Sequence, residues 1–280
     1  MTPLDNNQAE TASSTDTDYQ LSHDYWMRQA AECQELMGVS DIGGCGLTEV
    51  LYRHFEEVRH LQSIVSFDRQ KTVLELGSGN GRWVISLAPL VKHYTAVDFS
   101  QLMLDIARSR AELLKLNNVT FYRATAQDYT PPIPFDIAYL SGVSQYLHDA
   151  DLQALLARLN QSLRPGAILI DRSTIHHRQR LLSEQTGYFS IYRTADELKR
   201  LFEDAGFVNH YQRPSYRVLN VPGRLGRLLR AGNCARAVAI TAPQSFHLLR
   251  AIALAVERLW GPTGEMVDFS HDFFLFHRRI

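Results

Sequence analysis

The chain has 280 residues, a hydrophobic content of 45%, a formal net charge of −1 and a sequence pI of about 6.8. This length can bury one sizeable core, or one core with a small appendage. A nearly neutral chain has no general positive field, so we expect neither a nucleic-acid partner nor electrostatic binding to an anionic membrane. The three cysteines are odd in number and lack metal-ligand spacing, which indicates reduced thiols and no metal site.

The first twenty residues are polar and acidic, without the basic and apolar regions of a signal peptide. No apolar run approaches the ~20 residues that a transmembrane helix needs. We therefore predict a cytoplasmic protein without a transmembrane segment, and we leave open whether it forms a homodimer.

The N-terminal part of the chain divides into two predicted segments. Residues 1–18 contain few apolar residues and many Ser, Thr, Asp and Asn, so we predict a disordered tail. Residues 19–66 show apolar residues at helical spacing in two runs, the first beginning near Ser22 and ending at Gly38. Because both runs precede the first strand, we predict that they form a helical lid or brace.

Strands and helices alternate over the predicted core, residues 67–221. The apolar runs that we interpret as strands are residues 72–76, 93–98, 119–123, 135–141, 167–171 and 207–218. A helical insert is predicted over 222–265, and a closing strand of the core lies within 266–280. Alternation of this kind predicts an α/β, doubly wound, seven-stranded and mostly parallel sheet of the Rossmann-like type.

A glycine-rich turn follows the first predicted strand. Gly77, Gly79 and Gly81 occupy alternate positions, and apolar residues at helical spacing begin at Trp83. Glycine allows positive φ and close approach to a ligand, and the following helix offers unpaired N–H groups. This is the outline of a nucleotide-binding turn. A dinucleotide fingerprint needs glycine at the sixth position of the turn, where this chain has Arg82.

The turn, with Glu75 two residues before its first glycine, resembles the first motif of the class I S-adenosylmethionine-dependent methyltransferases. The resemblance extends from about residue 72 to 213 and includes Pro165-Gly166 before the fifth strand. It implies S-adenosyl-L-methionine as the cofactor. The cofactor-binding residues that it implies are Glu75, Gly77, Ser78, Gly79, Gly81, Asp98, Phe99, Met103, Ala126, Gln127, Asp128, Ser141 and Tyr146.

Several of these residues also have a purely structural interpretation. In the family, the acidic residue at the position of Asp98 holds the ribose hydroxyls, and a carboxylate at the end of a strand does face the crevice where ligands bind. Asp128 would contact adenine or act as an ordinary turn residue. Glu75 would contact the ligand or satisfy N–H groups of its own turn. Phe99 and Met103 would form a wall for adenine or belong to the core.

Methyl transfer usually requires removal of a proton from the acceptor, which favours histidine as a general base. Our candidates are His176 and His177, with His148 as a third, all just beyond predicted strand ends. Adjacent histidines in a polar stretch are also typical of a solvated loop. The residues that we expect to contact the acceptor are Tyr25, Trp26, Tyr188, Tyr192 and Arg193.

Missing motifs restrict the acceptor. The chain lacks the sequence signatures of amino-methylating nucleic-acid enzymes and of protein-arginine methyltransferases, which leaves a small-molecule O or N acceptor. Arg224, Arg227 and Arg230 of the predicted insert would form an ordinary solvated helix face or help to bind an anionic acceptor. Two other functions remain open: an NAD(P)-dependent oxidoreductase, and a catalytically silent methyltransferase fold that serves as a binding protein.

Overall fold

The structure is a computed structural model that describes residues 6–32, 47–185, 187–216 and 268–279. The predicted helical insert at 222–265, its arginines and all three cysteines lie outside these residues. The strands are β1 (Thr72–Leu76), β2 (His93–Asp98), β3 (Val119–Arg123), β4 (Phe135–Ser141), β5 (Leu163–His176), β6 (Leu181–Gln185), β7 (Tyr188–Tyr192), β8 (Phe207–Pro214) and β9 (Phe269–Arg278). The helices are α1 (Asn6–Glu32), α2 (Leu47–Ile64), α3 (Arg82–Leu87), α4 (Gln101–Leu113), α5 (Asp149–Ser162) and α6 (Ala195–Asp204).

Seven strands form one sheet in the order β3-β2-β1-β4-β5-β9-β8. The neighbours from β3 to β5 pair in parallel, and β9 pairs antiparallel with both β5 and β8. The predicted α/β, doubly wound and mostly parallel sheet of seven strands is therefore confirmed. β6 and β7 form a separate antiparallel hairpin that the sequence analysis does not predict.

The strands carry apolar residues on both faces, as expected for a sheet covered by helices on two sides. Val73 packs with Leu61 of α2 and Trp83 of α3 in one buried cluster. Its neighbour Leu74 packs with Leu155 of α5 in the other cluster. Successive residues of β1 thus point into opposite layers, which places α2 and α3 on one face and α5 and α6 on the other.

Two local capping predictions match the helix starts. The Ser100 hydroxyl accepts a hydrogen bond from the Met103 N–H at the beginning of α4. Thr194 and Glu197 form a capping box at the beginning of α6, in which each side chain accepts from the other's backbone N–H.

The first helix begins much earlier than the sequence indicates. The sequence analysis predicts a disordered tail to residue 18 and a helix start at Ser22, whereas α1 already begins at Asn6. Ser22 lies inside the helix, and its hydroxyl donates to the carbonyl of Phe189 at 3.0 Å. Tyr19 donates to the carboxylate of Asp151. These long-range contacts anchor the helix, and a nucleated helix extends through further residues at low cost.

Within the described residues, no helix combines the length and the apolar character that crossing a membrane requires.

Candidate active site

A cavity of about 1060 Å³ opens at the carboxyl ends of the parallel strands. Its wall includes residues 77–80 after β1, 98–100 at the end of β2, 124–127 after β3 and 141–143 at the end of β4. Small-molecule pockets commonly have volumes of roughly 300–1,000 Å³. This cavity is therefore large enough for a nucleotide-sized ligand together with a second molecule.

The conformation of the glycine turn depends on backbone hydrogen bonds and on the absence of side chains at its glycines. The N–H groups of Gly77 and Ser78 donate to the carbonyl of Val97 at 2.9 and 3.0 Å. A Cβ atom at Gly77 would lie 2.4 Å from the side chain of Val143, whereas one at Gly79 would meet nothing within 4 Å. Gly77 is therefore required for packing, and Gly79 leaves open space beside the cavity that it lines.

Two polar side chains near this turn have unused hydrogen-bonding capacity. Ser78 Oγ and Asn80 Nδ2 are buried without a hydrogen-bond partner in the described structure. Both residues line the cavity. Buried polar groups are normally paired, so these two atoms have hydrogen-bonding capacity that a ligand in the cavity could use.

Asp98 connects the turn after β1 with the start of α4. Its carboxylate accepts hydrogen bonds from the N–H of Gly79 at 2.8 Å and of Ser100 at 2.9 Å. Burial raises the pKa of Asp98 to about 6, against the lowering effect of these N–H groups. Because Asp98 lines the cavity, its carboxylate can accept further hydrogen bonds from a ligand.

Most of the predicted cofactor-binding residues come together in this cavity. Those that line it are Gly77, Ser78, Gly79, Asp98, Phe99, Met103, Ala126, Gln127, Ser141 and Tyr146. The sequence analysis names them from the family resemblance, and they meet in the structure because the carboxyl ends of parallel strands lie at one edge of a sheet.

Gly81 and Asp128, which the sequence analysis also assigns to the cofactor, are placed differently. A Cβ atom at Gly81 would lie 2.7 Å from the Cβ of Ala107, so this glycine allows α4 to pack against the turn. Asp128 is exposed and accepts a hydrogen bond from the Thr125 hydroxyl at 2.7 Å. Neither residue lines the cavity, and for Asp128 the structure favours the interpretation as a turn residue.

Glu75 lies beneath the turn, outside the cavity wall. It is fully buried, and its Oε2 accepts a hydrogen bond from the Tyr94 hydroxyl at 2.9 Å. Burial raises the pKa of Glu75 to about 8, although the Tyr94 hydroxyl and Arg82 act in the opposite direction. In this structure Glu75 is a buried core carboxyl group and does not reach the ligand space.

Aromatic side chains from α1, β7 and the 3-10 helix Ser144–Tyr146 line a second part of the cavity. Tyr25 and Tyr188 meet edge to face with their ring centroids 4.6 Å apart, as do Trp26 and Tyr146 at 5.8 Å. The hydroxyls of Tyr146 and Tyr188 are 2.8 Å apart. Tyr192 lines the same cavity. This aromatic part of the wall thus brings together four residues that the sequence analysis expects to contact the acceptor, Tyr25, Trp26, Tyr188 and Tyr192, with Tyr146, which it assigns to the cofactor.

The predicted catalytic histidines are not placed in the cavity wall. β5 continues to His176 because β9 pairs with it along this length, so His176 is not in an open loop. Its Nδ1 accepts from the N–H groups of residues 178 and 179. His177 is exposed beside Ser270. His148 stacks on Phe189 and pairs with Asp18. The structure thus gives these three histidines structural contacts.

Arg193, predicted to contact the acceptor, instead supports the cavity wall from behind. Its guanidinium donates to the carbonyls of Ser144 and Leu147 at 2.7 and 2.6 Å and pairs with Asp149. It is 1% exposed and does not line the cavity. Arg193 therefore fixes the segment that carries Tyr146.

The structure adds His271, which the sequence analysis misses. His271 lies on β9 and lines the cavity, with its Nδ1 2.8 Å from the hydroxyl of Thr174 on β5. Burial and the charges of Arg172 and Arg53 lower its pKa well below the ordinary value. His271 is therefore neutral near pH 7. No local motif marks it, because its position depends on the pairing of β9 with β5.

The sequence analysis also misses a group of arginines in the cavity wall. Glu57 of α2 is fully buried and accepts from Arg172 of β5, with Nε and Oε1 2.6 Å apart. Arg82 of α3 lies 3.3 Å from the other oxygen of Glu57. Arg53 precedes Glu57 by one helical turn, and all three arginines line the cavity. Burial raises the pKa of Glu57, but Arg172, Arg82 and Arg53 outweigh it and hold the pKa far below its ordinary value.

A comparison of sequences identifies the family of this core. Residues 73–166 match the sequence model of a family described as a methyltransferase domain. This range contains the glycine turn, Asp98 and the loop of residues 124–127 that line the cavity. The chain contains a methyltransferase domain.

Two curated methyltransferases and one solved structure resemble this methyltransferase domain. Alpha N-terminal protein methyltransferase 1 of Dictyostelium discoideum is 30% identical over 137 residues, which cover 48% of this chain and 49% of that protein. Phosphoethanolamine N-methyltransferase 1 of Triticum aestivum is 30% identical over 131 residues, which cover 44% and 25% of the two chains. A SAM-dependent methyltransferase of Leishmania major has a TM-score of 0.59 at 22% identity, over 74% of this chain and 79% of that one. The chain thus spans half or less of both curated relatives.

Replacing Glu75 with glutamine in the methyltransferase domain is expected to change how stability depends on pH. The pKa of Glu75 is about 8 in the folded protein, against 4.5 for an ordinary glutamate, so the folded state keeps a proton that the unfolded chain releases. The wild-type free energy of unfolding therefore falls as pH rises through this window. Glutamine has no such proton. The free energy of unfolding of the variant, relative to that of wild type, should therefore increase by up to about 1.4 kcal/mol for each unit by which pH rises.

Urea unfolding of both proteins between about pH 5 and pH 8 measures this difference. Because the other titrating groups are common to the two proteins, their effects cancel. A difference that stays constant with pH would contradict the protonated state of Glu75.

Proposed function

We propose that the chain binds S-adenosyl-L-methionine at the glycine turn and transfers its methyl group to an oxygen or nitrogen atom of a small-molecule acceptor. The observation that carries this proposal is one continuous cavity. Donor-side residues of the family motif, Ser78 and Asp98, share this cavity with acceptor-side aromatic residues such as Tyr25 and Tyr188.

The donor side offers polar and apolar groups suited to an adenosyl ligand. The Asp98 carboxylate would accept from the ribose hydroxyls, and Phe99 and Met103 would supply an apolar wall for the base. Ser78 Oγ and Asn80 Nδ2, buried without partners, would bond polar groups of the ligand. These residues therefore fit the proposed donor.

When bound, S-adenosyl-L-methionine supplies a methyl group on a positively charged sulfonium, and the sulfur is the leaving group when the methyl group passes in line to the acceptor. Aromatic rings favour a nearby cation, and Trp26 and Tyr146 provide such surfaces. α1 covers this part of the cavity through Tyr25 and Trp26 and would exclude water from the reaction. Holding two reactants in line can supply about 7–11 kcal/mol of the barrier reduction.

Proton removal is not assigned to a histidine. His148, His176 and His177 lie outside the cavity wall. His271 is part of the wall, but its pKa lies well below the ordinary value, so its imidazole is a weak base. Burial raises the pKa of the Tyr146 and Tyr188 hydroxyls, which therefore act as hydrogen-bonding phenols. We assign the acceleration to alignment and exclusion of water. One of the two curated methyltransferases described above is named an N-methyltransferase, which supports nitrogen as the accepting atom.

Calorimetry and an acceptor screen test the proposal. We expect S-adenosyl-L-methionine and S-adenosylhomocysteine to bind and NAD not to bind. Incubation with a panel of small amines and alcohols should give a product that is heavier by one methyl group in mass spectrometry. Binding of NAD in place of S-adenosyl-L-methionine would make the chain an oxidoreductase. Donor binding without methylation of any acceptor would favour a silent binding protein.

A further inference from the structure

A short chain of hydrogen bonds runs through the aromatic part of the cavity wall. The N–H of Thr174 in β5 donates to Oε1 of Gln145 at 3.1 Å, and Nε2 of Gln145 donates to the Tyr146 hydroxyl at 2.9 Å. The Tyr146 hydroxyl in turn lies 2.8 Å from the hydroxyl of Tyr188 on β7. All four residues line the cavity, so a bound ligand can meet the end of this chain.

The direction of the hydrogen bonds is fixed at Gln145. A backbone N–H group can only donate, so the amide atom of Gln145 that faces Thr174 must be the oxygen. The NH₂ group of Gln145 therefore faces Tyr146, whose hydroxyl oxygen accepts from it. Arg193 holds the surrounding segment in place by donating to two of its carbonyls. The tyrosine pair thus receives a hydrogen bond from a side chain that cannot accept one in return.

The two tyrosine hydroxyls have one more proton than their mutual contact uses. One proton lies between the two oxygens, and either hydroxyl can supply it. The other proton cannot pass to the NH₂ group of Gln145, which is itself a donor. Ser190 lies two residues beyond Tyr188 on the same face of β7, but its buried Oγ has no hydrogen-bond partner. Within the described residues, the pair therefore keeps one unpaired O–H group.

Both tyrosines hold their protons near neutral pH. Burial raises the pKa of Tyr146, and the hydrogen bonds with Tyr188 and Gln145 reverse this only in part. Burial also raises the pKa of Tyr188, whereas the Ser190 hydroxyl lowers it, which is the effect of a donor and not of an acceptor. The unpaired O–H group is thus a neutral phenol that can donate one hydrogen bond.

The wall around the tyrosine pair is aromatic and uncharged. The ring of Tyr25 meets that of Tyr188 edge to face, and the ring of Trp26 meets that of Tyr146 in the same way. Tyr192 also lines this part of the cavity. Aromatic rings pack well against other flat, apolar groups. A ligand that fits here is therefore flat and apolar, except at the atom that meets the free O–H group.

We propose that the methyl acceptor is a flat, largely apolar molecule with a carbonyl or ether oxygen that accepts a hydrogen bond from the Tyr146–Tyr188 pair, and that Gln145 is the positioning residue that directs this bond. A ligand without such an oxygen would exclude water and leave a buried O–H group unpaired, which is costly. The bound oxygen would orient the molecule, and a different atom of it would receive the methyl group. This inference rests on the proposed function, because it names the chemical class of the acceptor.

Saturation-transfer NMR titrations of acetophenone and phenol test the direction of the chain, with S-adenosylhomocysteine present at saturation. Acetophenone can only accept a hydrogen bond, whereas phenol can also donate one. Gln145→Glu replaces the NH₂ group with an oxygen, so the Tyr146 proton would turn to the new carboxylate and the Tyr188 proton to Tyr146. No proton would then remain for the ligand. We expect this variant to bind acetophenone about tenfold more weakly than wild type and to bind phenol with similar affinity.

Gln153→Glu is the matched control, because it makes the same change at an exposed position on α5 outside the cavity. It should bind both probes as the wild type does. The double variant Tyr146→Phe/Tyr188→Phe keeps both rings and removes both hydroxyls, so it should also bind acetophenone more weakly than wild type.

Equal binding of acetophenone to wild type and Gln145→Glu would overturn the proposal. An equal loss of both probes would overturn it too, because the substitution would then act only on the shape of the pocket. Wild-type protein that binds S-adenosylhomocysteine but not acetophenone overturns the acceptor class alone. Failure of S-adenosylhomocysteine to bind overturns the proposed function beneath it.

Discussion

Replacing Glu57 with glutamine is expected to lower the free energy of unfolding by about 3–5 kcal/mol, the usual cost of removing one partner from a buried ion pair. Glu57 is 0% exposed and links α2 to Arg82 at the start of α3 and to Arg172 in β5. Ser215 also donates to it, at 3.1 Å. Glutamine would leave two largely buried arginines facing a neutral amide.

Urea unfolding measures this loss, with Glu203→Gln as the control because Glu203 is exposed on α6. The pH dependence provides a second measurement. The pKa of Glu57 is held far below the ordinary 4.5, so its contribution is complete above about pH 4.5 and is lost as pH falls further. The variant should lack this acid-sensitive part. A loss in stability no larger than that of Glu203→Gln would show that the network is unimportant for folding.

Replacing Asp98 with asparagine is expected to weaken binding of S-adenosylhomocysteine by about 100-fold or more. Hydrogen bonds to a charged group contribute roughly 1.5–3 kcal/mol each, and the proposed ribose contact uses two. In wild type the Asp98 carboxylate accepts hydrogen bonds from the N–H groups of Gly79 and Ser100. The asparagine amide would place an NH₂ group, which is itself a donor, near one of these N–H groups. The substitution would therefore weaken binding of the cofactor product and also disturb the conformation of the glycine turn.

The same variant gives a pH test. The pKa of Asp98 is about 6 in the ligand-free protein, so the carboxylate is ionised above this pH and protonated below it. Because the ionised form accepts both ribose hydrogen bonds, wild-type affinity should fall as pH decreases below about 6. Calorimetry of wild type, Asp98→Asn and the exposed control Asp204→Asn should show this decrease in the first and third proteins. Unchanged affinity in Asp98→Asn would remove the main support for the donor site.

The parts of the fold that depend on short segments follow from the sequence. Asp98 can be placed at the cavity because a strand ends there and parallel strands end at one edge of the sheet. Thr194 and Glu197 can be assigned to a helix start because a capping box spans four residues. In each case the chemistry and the geometry lie within one short stretch.

Features that depend on contacts between residues far apart in the chain cannot be predicted from the sequence. Glu57 meets Arg172, and Thr174 meets His271, only because α2 and β9 pack against β5. The same pairing with β9 keeps His176 in the sheet, where the sequence indicates an open loop. Short motifs and the family resemblance therefore predict the proposed donor side, whereas most of the acceptor side cannot be predicted from the sequence.

The position of β9 also affects the order in which the molecule can be assembled. β9 is the last described strand in the chain, yet it lies between β5 and β8. Its neighbouring residues Phe273 and Phe274 enter the clusters on opposite faces of the sheet, and His271 belongs to the cavity wall. During synthesis β1 to β5 can pair before β9 has been made, whereas β8 must wait for a strand from farther along the chain, because β9 is its neighbour in the sheet. A ribosome-bound chain would thus have its donor turn before its hydrophobic layers and acceptor wall are closed.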